Sequence, residues 1–580
     1  MKKNNIKQVL SNLNKYVKPH RTAFILSIVF DLAAIILNMI IPVFSGYAID
    51  AMVTTGAVEI VRLIECLVTI GVLAVGSTIF DWLGNYNMNI LTYKTGQSLR
   101  SAIYEKLNYV PIKFIDNNSH GDIMNTMIND VENVTDGFLA GFKSVVCGIF
   151  QILTVMVIMF ILKWQLALVV IFVAPLSLVF AILLTRKSKK LYRDRVQIQG
   201  NLSGYAEEMI TNMKIIKAFN NETEKVGDFE EYNQKLGKSS EKALFYSYLA
   251  HPASRLFNGI LYAAVVGMGA YMATQGQIKI GRISSFLSFS ENYTAPFNDI
   301  TSIFADLNVA IASADRVFSL INEEKEIDDS ALPEMKKCNG EVSLKDVAFS
   351  YAPSFKLIEN LNLEVKNGQR IAIVGPTGCG KSTIINLLMR FYDVNSGSIK
   401  VSGKDIRKVK RKSFRKFYGM VLQESWLYNA SVRDNVAYGK PDATMDEIVE
   451  ACKLANAHAF IEKLPNGYDT IITERGDNIS AGQKQLLCIA RIMLLKPPMV
   501  ILDEATSNID TRTEMKIQEA FNVMMEGKTC FIVAHRLSTI MNADVILVMN
   551  KGNIVEKGKH KELLEKKGFY YELFNSQFGN

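Results

Sequence analysis

The sequence predicts a multi-domain chain: an all-α, six-helix transmembrane domain with long cytosolic helix extensions, followed by an α/β P-loop domain. Three observations carry that expectation. Hydrophobic residues make up 49% of the 580-residue chain, a globular-like share, yet runs long enough to span a bilayer occur only before about residue 320. Beyond residue 340, strand-like runs at 342–344, 370–374, 500–502, 530–533 and 545–549 alternate with helical ones, the pattern of a largely parallel sheet flanked by helices. Between one such strand and one such helix lies a glycine-rich run, Gly375-Pro376-Thr377-Gly378-Cys379-Gly380-Lys381-Ser382-Thr383.

A helical span needs roughly 20 apolar residues, and the runs at 23–47, 63–85, 138–162, 166–185, 256–273 and 283–307 supply six. The sixth is polar, with Ser284, Ser285, Ser288, Ser290, Glu291, Asn292, Thr294 and Asn298, and Pro296 interrupts it. Such a segment suits a water-filled pathway better than lipid. Lys2, Lys3, Lys7, Lys15, Lys18 and Arg21 precede the first run, and a basic cluster at 186–195 follows the fourth. The positive-inside rule places these segments in the cytoplasm. It also accounts for the net charge of +8 without a nucleic-acid partner.

The polar, helix-like stretches 93–137 and 187–250 exceed ordinary loops and read as cytosolic continuations of the spans. Residues 323–340 are charged, contain Pro333 and read as a linker, which divides the chain into 1–322, 323–340 and 341–580. The seven cysteines show no metal-ligand or C-x-x-C spacing and read as reduced thiols. The first apolar run lacks a small-residue cleavage site, so no cleavable signal is expected.

Three charges within or beside the spans stand out: Asp31, Asp81 and Arg255. A carboxylate at mid-bilayer costs about 2.5–3.5 kcal/mol on insertion scales. At ~1.5 Å per residue, Asp31 is the deepest of the three, roughly 12 Å in. Either Arg255 pairs with Asp81 or Asp31, or Asp31 offers an anionic site to a cationic drug. Phe286, Phe289, Tyr293 and Phe297 suit an aromatic-lined pocket or plain packing.

The glycine-rich run fits G-x-x-x-x-G-K-[ST] in its strand–loop–helix setting. Small residues let consecutive N–H groups turn inward around phosphate oxygens, and the helix N-terminus adds a positive dipole. Lys381 supplies charge for the β- and γ-phosphates, and Ser382 a hydroxyl for Mg²⁺. An alkyl group on Cys379 would compete for the same space. Further on, Met499-Val500-Ile501-Leu502-Asp503-Glu504 is an apolar strand ending in two carboxylates. Asp503 fits a Mg²⁺ partner, and Glu504 the base that positions an attacking water.

Between these motifs, Asn478-Ile479-Ser480-Ala481-Gly482-Gln483-Lys484-Gln485 resembles the signature of ATP-binding cassette (ABC) proteins. The chain is similar over essentially its whole length to ABC exporter half-transporters. That resemblance implies an ATP- and Mg²⁺-dependent ATPase in the bacterial cytoplasmic membrane, multi-pass, with its cassette in the cytoplasm. It implies that Tyr351 stacks on adenine, that Gln423 joins Ser382 and Asp503 at Mg²⁺, that Asp510 belongs to the D-loop and that His535 is the switch histidine. Gly375 through Thr383 would hold the phosphates, while Ser480, Gly482 and Gln483 would face the nucleotide of a second half-transporter. Stretches at 117–126 and 211–217 match the coupling helices of the intracellular loops. The family moves substrates by alternating access, here a small amphipathic or drug-like compound carried out across the cytoplasmic membrane, with membrane lipid as a further partner. Peptide or lipid export is the alternative, and an ATP-gated channel or regulatory subunit is a different class that Glu504 argues against. The chain departs from the family at Thr473 and Ala481, where many members have glycine. A Cβ at Ala481 is expected to resist positive φ and crowd the phosphates. The pattern resembles the hydrolysis-competent subunit of a heterodimeric exporter, with a homodimer as the other possibility.

Overall fold

The structure, a computed structural model, describes residues 3–53, 58–352, 356–422, 425–473, 478–503, 510–533 and 540–578. Its contacts form two compact units, Met1–Tyr109 with Asn118–Glu323, and Val110–Asn117 with Glu324–Asn580.

The first unit is helical. It holds α1 (Lys3–Val17), α2 (Arg21–Met52), α3 (Ile60–Leu107), α5 (His120–Asn125), α6 (Val131–Val134), α7 (Gly141–Thr211), α8 (Met213–Ala218), α9 (Glu222–Tyr248), α10 (Ala250–Thr274) and α11 (Ile280–Asn322); α4 (Ile112–Asn117) belongs to the second unit. Among the described residues, Val9–Met52, Ile60–Leu107, His120–Val173 and Arg255–Thr274 are long and apolar enough to cross a membrane. At 1.5 Å per residue α3 is about 70 Å long, more than twice a ~30 Å hydrocarbon core. Helices of this length must continue into water. The third and fourth apolar runs share α7 and are separated by a kink at Lys163, whose φ and ψ are −167° and 105°.

The polar sixth run lies in α11, and its hydroxyls are satisfied internally. Ser285 donates to the Pro42 carbonyl (2.7 Å), Ser290 to that of Phe286 (2.7 Å) and Thr294 to that of Ser290 (2.9 Å). That is how a helix of weak hydropathy persists in this setting. Phe286, Phe289 and Tyr293 are buried in a cluster with Met39, Val155, Met159, Leu261 and Val265, so they pack the core and do not line a pocket. Near the other end of α2, a Cβ on Gly281 would meet the Gly46 carbonyl oxygen at 1.9 Å. Only glycine permits that backbone approach, and the Gly281 N–H is taken by Asp50 (2.8 Å).

The intramembrane charges correct the sequence expectation. Asp31 pairs with Lys143 of α7 at 2.8 Å, not with Arg255, whose side chain is exposed. Lys143 also donates to Asn85 (2.8 Å), and Asn85 donates to Asp81 (3.1 Å), so one polar chain ties α2, α3 and α7 together. The second Asp31 oxygen has no hydrogen-bond partner and lies where a Cβ on Gly84 would come within 1.9 Å. The cluster is closed and leaves no room for a drug cation beside Asp31.

A second buried carboxylate, Asp130, sits at the end of a π-helical turn (Thr126–Asp130). Arg316 (Nε 2.7 Å) and Ser313 (2.8 Å) both donate to its carboxylate. Ser313 and Arg316, on the last turns of α11, thus have a structural role that the sequence alone does not suggest.

The second unit has strands β1 (Val342–Phe349), β2 (Ile358–Val365), β3 (Arg370–Val374), β4 (Ser396–Val401), β5 (Lys404–Asp405), β6 (Tyr418–Val421), β7 (Met499–Asp503), β8 (Thr529–Val533), β9 (Val545–Asn550) and β10 (Asn553–Gly558). One sheet is ordered β2-β1-β4-β5 and antiparallel; the other is β10-β9-β3-β8-β7-β6, parallel except for β10. Central β3 is covered on both faces: Ala372 and Val374 enter one apolar cluster, Ile371 and Ile373 the other. The register puts Ile373 and Asp503 both opposite Val533, so β3, β8 and β7 end at one edge, where α/β sheets bind ligands. The helices include α12 (Lys381–Leu388), α13 to α16 (Arg411–Arg415, Val432–Val436, Met445–Leu454, His458–Ile461), α17 (Ala481–Leu495) and α18 (Thr511–Met525). Helix α4 clusters here, and its Asp116 accepts a hydrogen bond from the Tyr392 phenol. The segment grouped with this unit is therefore 110–117, just before the expected 117–126.

The Asp31–Lys143 pair yields a stability expectation. Asp31→Asn or Lys143→Met, each leaving one buried charge alone, lowers unfolding free energy by about 3–5 kcal/mol. The double variant recovers much of that loss. Denaturant unfolding of the detergent-solubilised protein measures it; single variants as stable as wild type would contradict a buried pair.

Candidate nucleotide-binding site

Strand β3 delivers the chain to Gly375, and the loop closes back onto α12 through left-handed glycines, Gly378 at φ +80° and Gly380 at φ +100°. At Gly375 space is the constraint: a Cβ there would lie 2.3 Å from the Met549 carbonyl oxygen and 2.7 Å from Cys379 Sγ. The loop is held by Cys379 N–H to Pro376 O (3.3 Å) and Gly552 N–H to Cys379 O (3.1 Å). Lys381 Nζ donates to the carbonyls of Gly375 (2.8 Å) and Pro376 (3.0 Å), so the ammonium lies across the loop.

These residues border a cavity of about 480 Å³ lined by Tyr351, Leu357, Thr377, Gly378, Gly380, Lys381, Ser382, Thr383, Asp503 and Val533. Its parts are suited to a nucleotide. Tyr351 stands edge-on to Phe349 and Tyr392, with ring centroids 4.9 and 5.0 Å away. Its hydroxyl donates to Thr383 Oγ1 (3.3 Å) and accepts from Asn386 (3.1 Å), leaving a half-exposed aromatic ring at the mouth. The loop and the first turn of α12 present backbone N–H groups and a lysine, the donor set that phosphate oxygens require. Ser382 and Asp503 add a hydroxyl and a carboxylate, which fits an ion held mainly by phosphates and water. Among the described residues no group of three His, Cys, Asp or Glu could form a protein-only metal cage.

The other sequence-selected residues are placed as follows. Ser480 caps α17 in a reciprocal box: its hydroxyl accepts from Gln483 N–H (3.2 Å), and Gln483 Oε1 accepts from Ser480 N–H (2.8 Å). Gly482 is buried in the first turn. None of the three lines the cavity. Ala481 opens α17 and is absent from the positive-φ residues, so the expected backbone strain is corrected: no left-handed angle is required of it. Asp510 caps α18 by accepting Thr513 N–H (2.9 Å), and that bond holds its carboxyl below the usual range. Gln423, Glu504 and His535, with 507–509, lie outside the described residues. Sequence reasoning missed Tyr392 and Asn386, which position Tyr351. The aromatic pair Phe391-Tyr392 just after α12 was the only available signal.

Comparison with known proteins decides the family. A model of the ABC transporter transmembrane region matches residues 24–297, and an ABC transporter model matches 358–507. An uncharacterized ABC transporter ATP-binding protein of Bacillus subtilis is 36% identical over 573 residues, 99% of this chain and 94% of that protein. This chain belongs to the ABC transporter family. Further relatives of the transporter are a putative multidrug export ATP-binding/permease protein of Staphylococcus aureus, 34% identical over 576 residues (97% of this chain, 99% of that protein). A fatty acid ABC transporter ATP-binding/permease protein of Mycobacterium bovis is 37% identical over 501 residues (86% and 79%). The transporter is thus an exporter-type half, a multi-pass protein of the cytoplasmic membrane whose ATPase domain powers transport.

The loop geometry corrects the expectation for Cys379. Its thiol is buried behind the loop, and burial pushes its pKa up, which disfavours the reactive thiolate. Cys379 is therefore expected to react with N-ethylmaleimide more slowly than a free thiol even without nucleotide, as followed by mass spectrometry. Rapid labelling of Cys379 in the folded protein would contradict the placement. Gly375→Ala, by contrast, is expected to abolish ATP binding in a photolabelling assay because Met549 and Cys379 leave no space for the methyl group.

Proposed function

We propose that this ABC transporter moves amphipathic, drug-like compounds outward by alternating access, driven by Mg-ATP at the β3–α12 loop. The observation that carries the reading is one cavity that gathers Tyr351, the glycine loop, Lys381, Ser382 and Asp503 in a chain that also bears apolar membrane helices.

Tyr351 stacks on the adenine. The N–H groups of the loop from Gly375 to Thr383 surround the phosphates, and Lys381 exchanges its loop carbonyls for phosphate oxygens. Ser382, Asp503 and Gln423 hold Mg²⁺, which neutralises charge on the phosphates when bound. Glu504 positions the attacking water and His535 contacts the γ-phosphate; the protein's share of phosphoryl transfer is positioning and charge stabilisation. Ser480, Gly482 and Gln483 serve the partner's nucleotide, since they lie apart from this chain's own cavity. Coupling of closure to the membrane helices falls to the two short helices α4 (Ile112–Asn117) and α8 (Met213–Ala218).

The partner we propose is a different half-transporter. With backbone strain removed from the argument, the basis is bulk: Ala481 sets an exposed methyl on the first turn of α17, where the family's glycine has none. A lipid-like cargo is the second reading, favoured by the 37% identity to a transporter named for fatty acids.

Glu504→Gln is expected to bind ATP and to lower turnover by about 10²–10⁴, the usual effect of removing a general base. In a heterodimer this one change silences most of the complex. The chain purified alone hydrolyses ATP poorly, and co-expression with a complementary half restores it. Robust drug-stimulated ATPase from the chain alone would overturn the heterodimer and leave the exporter standing; near-normal turnover in Glu504→Gln would move the base elsewhere.

A further inference from the structure

The pairing of Asp31 with Lys143 leaves another intramembrane carboxylate to explain. Glu291 lies on α11, roughly 16 Å along the helix from its start at Ile280. A second ruler agrees. Gln151 of α7 donates to the carbonyl of Asn292 (2.9 Å), and Gln151 is roughly 18 Å along α7 from the kink at Lys163. In a hydrocarbon core of about 30 Å both distances reach the middle.

The surroundings of Glu291 differ from those of Asp31. Phe289, Ser290, Tyr293 and Thr294 turn into the packed core of the unit, whereas Glu291 is exposed. Among the described residues its carboxylate has no ion-pair or hydrogen-bond partner; its charge acts on the phenol of Tyr262 on α10. The face of α11 that carries it runs Ser284, Ser288, Glu291, Ala295, all half-buried or exposed. Leu287, half-buried, is the large apolar side chain beside that stripe among the described residues. Elsewhere the exposed helix faces are greasy, as with Val61, Val68, Val72, Val75 and Ile79 on α3. An ionised group at mid-bilayer faces protein or water, not lipid. Farther along α11, Asp306 and Asp136 border a cavity of about 370 Å³, so the carboxylate charge along this helix does not end at Glu291.

We infer that Glu291 is a substrate-binding residue of the transport pathway and that it selects amphipathic cations. This rests on the export reading above and adds the charge class of the cargo. The carboxylate contributes a fixed negative charge in a partly dehydrated setting, where its attraction for a cation is larger than in bulk water. Tyr262 of α10, near enough to feel that charge, adds an aromatic ring to the same region.

The test uses the assembled transporter with tetraphenylphosphonium as the cation and Nile red as a neutral amphiphile. Equilibrium binding without ATP is expected to show tetraphenylphosphonium affinity falling at least about tenfold in Glu291→Gln, with Nile red little changed and Glu291→Asp retaining cation binding. Unchanged cation affinity in a folded Glu291→Gln overturns the inference. So does joint loss of both ligands with a lowered unfolding temperature, which marks Glu291 as the partner of a structural cation. Should Glu291→Gln fail to assemble, carbodiimide labelling of wild-type Glu291 decides: protection by tetraphenylphosphonium supports the site, and its absence overturns it. Glu291-dependent binding without ATP-driven uptake of either compound would overturn the export reading alone.

Discussion

Gly375, Gly378 and Gly380 turn the chain from the end of β3 into α12 through a space and a set of backbone angles that side chains resist, and the second unit is arranged around that turn. Strand β3 is held at the centre of the sheet with both faces buried, so its end is fixed in position. Strand β8 separates it from β7, which brings Asp503 to the same edge. The loop is braced from behind by Gly552 and the Met549 backbone at the β9–β10 hairpin. Rigid support at the back and open N–H groups at the front are what a phosphate site requires.

The membrane unit obeys a different constraint, that no polar group may be left to lipid. In α11 the hydroxyls of Ser285, Ser290 and Thr294 meet carbonyls, one of them on a neighbouring helix. Asp31 meets Lys143, and Asp130 meets Arg316 and Ser313. Both charge pairings cross between helices that are far apart in sequence, so the buried charges fix which helices lie together. Once those partners are assigned, Glu291 is distinguished by having none among the described residues.

The second unit was largely legible because its signals are local. The glycine spacing names the loop, and the apolar run into Asp503 names the strand. What was not legible depended on tertiary partners. Lys143 reads in sequence as a basic residue near the start of a span, which the positive-inside pattern already explains, so nothing marked it as the partner of Asp31. Glu291 was hidden among the serines and threonines of a weak span, and its distinction is orientation, which hydropathy does not carry. A glycine motif suggests left-handed backbone at Ala481, but in the fold that position simply opens a helix. Cys379 belongs to a ligand loop by its spacing, but its side chain is buried behind that loop, which spacing does not reveal.

On the proposed function, nucleotide held at the β3–α12 loop drives compounds outward through the membrane unit. ATP-driven uptake of a fluorescent amphiphile into inside-out vesicles, compared between wild type and Lys381→Ala, tests it most directly. Uptake is expected to need hydrolysable ATP and to be lost in Lys381→Ala. Equal uptake by the two proteins, or uptake without ATP, would contradict it.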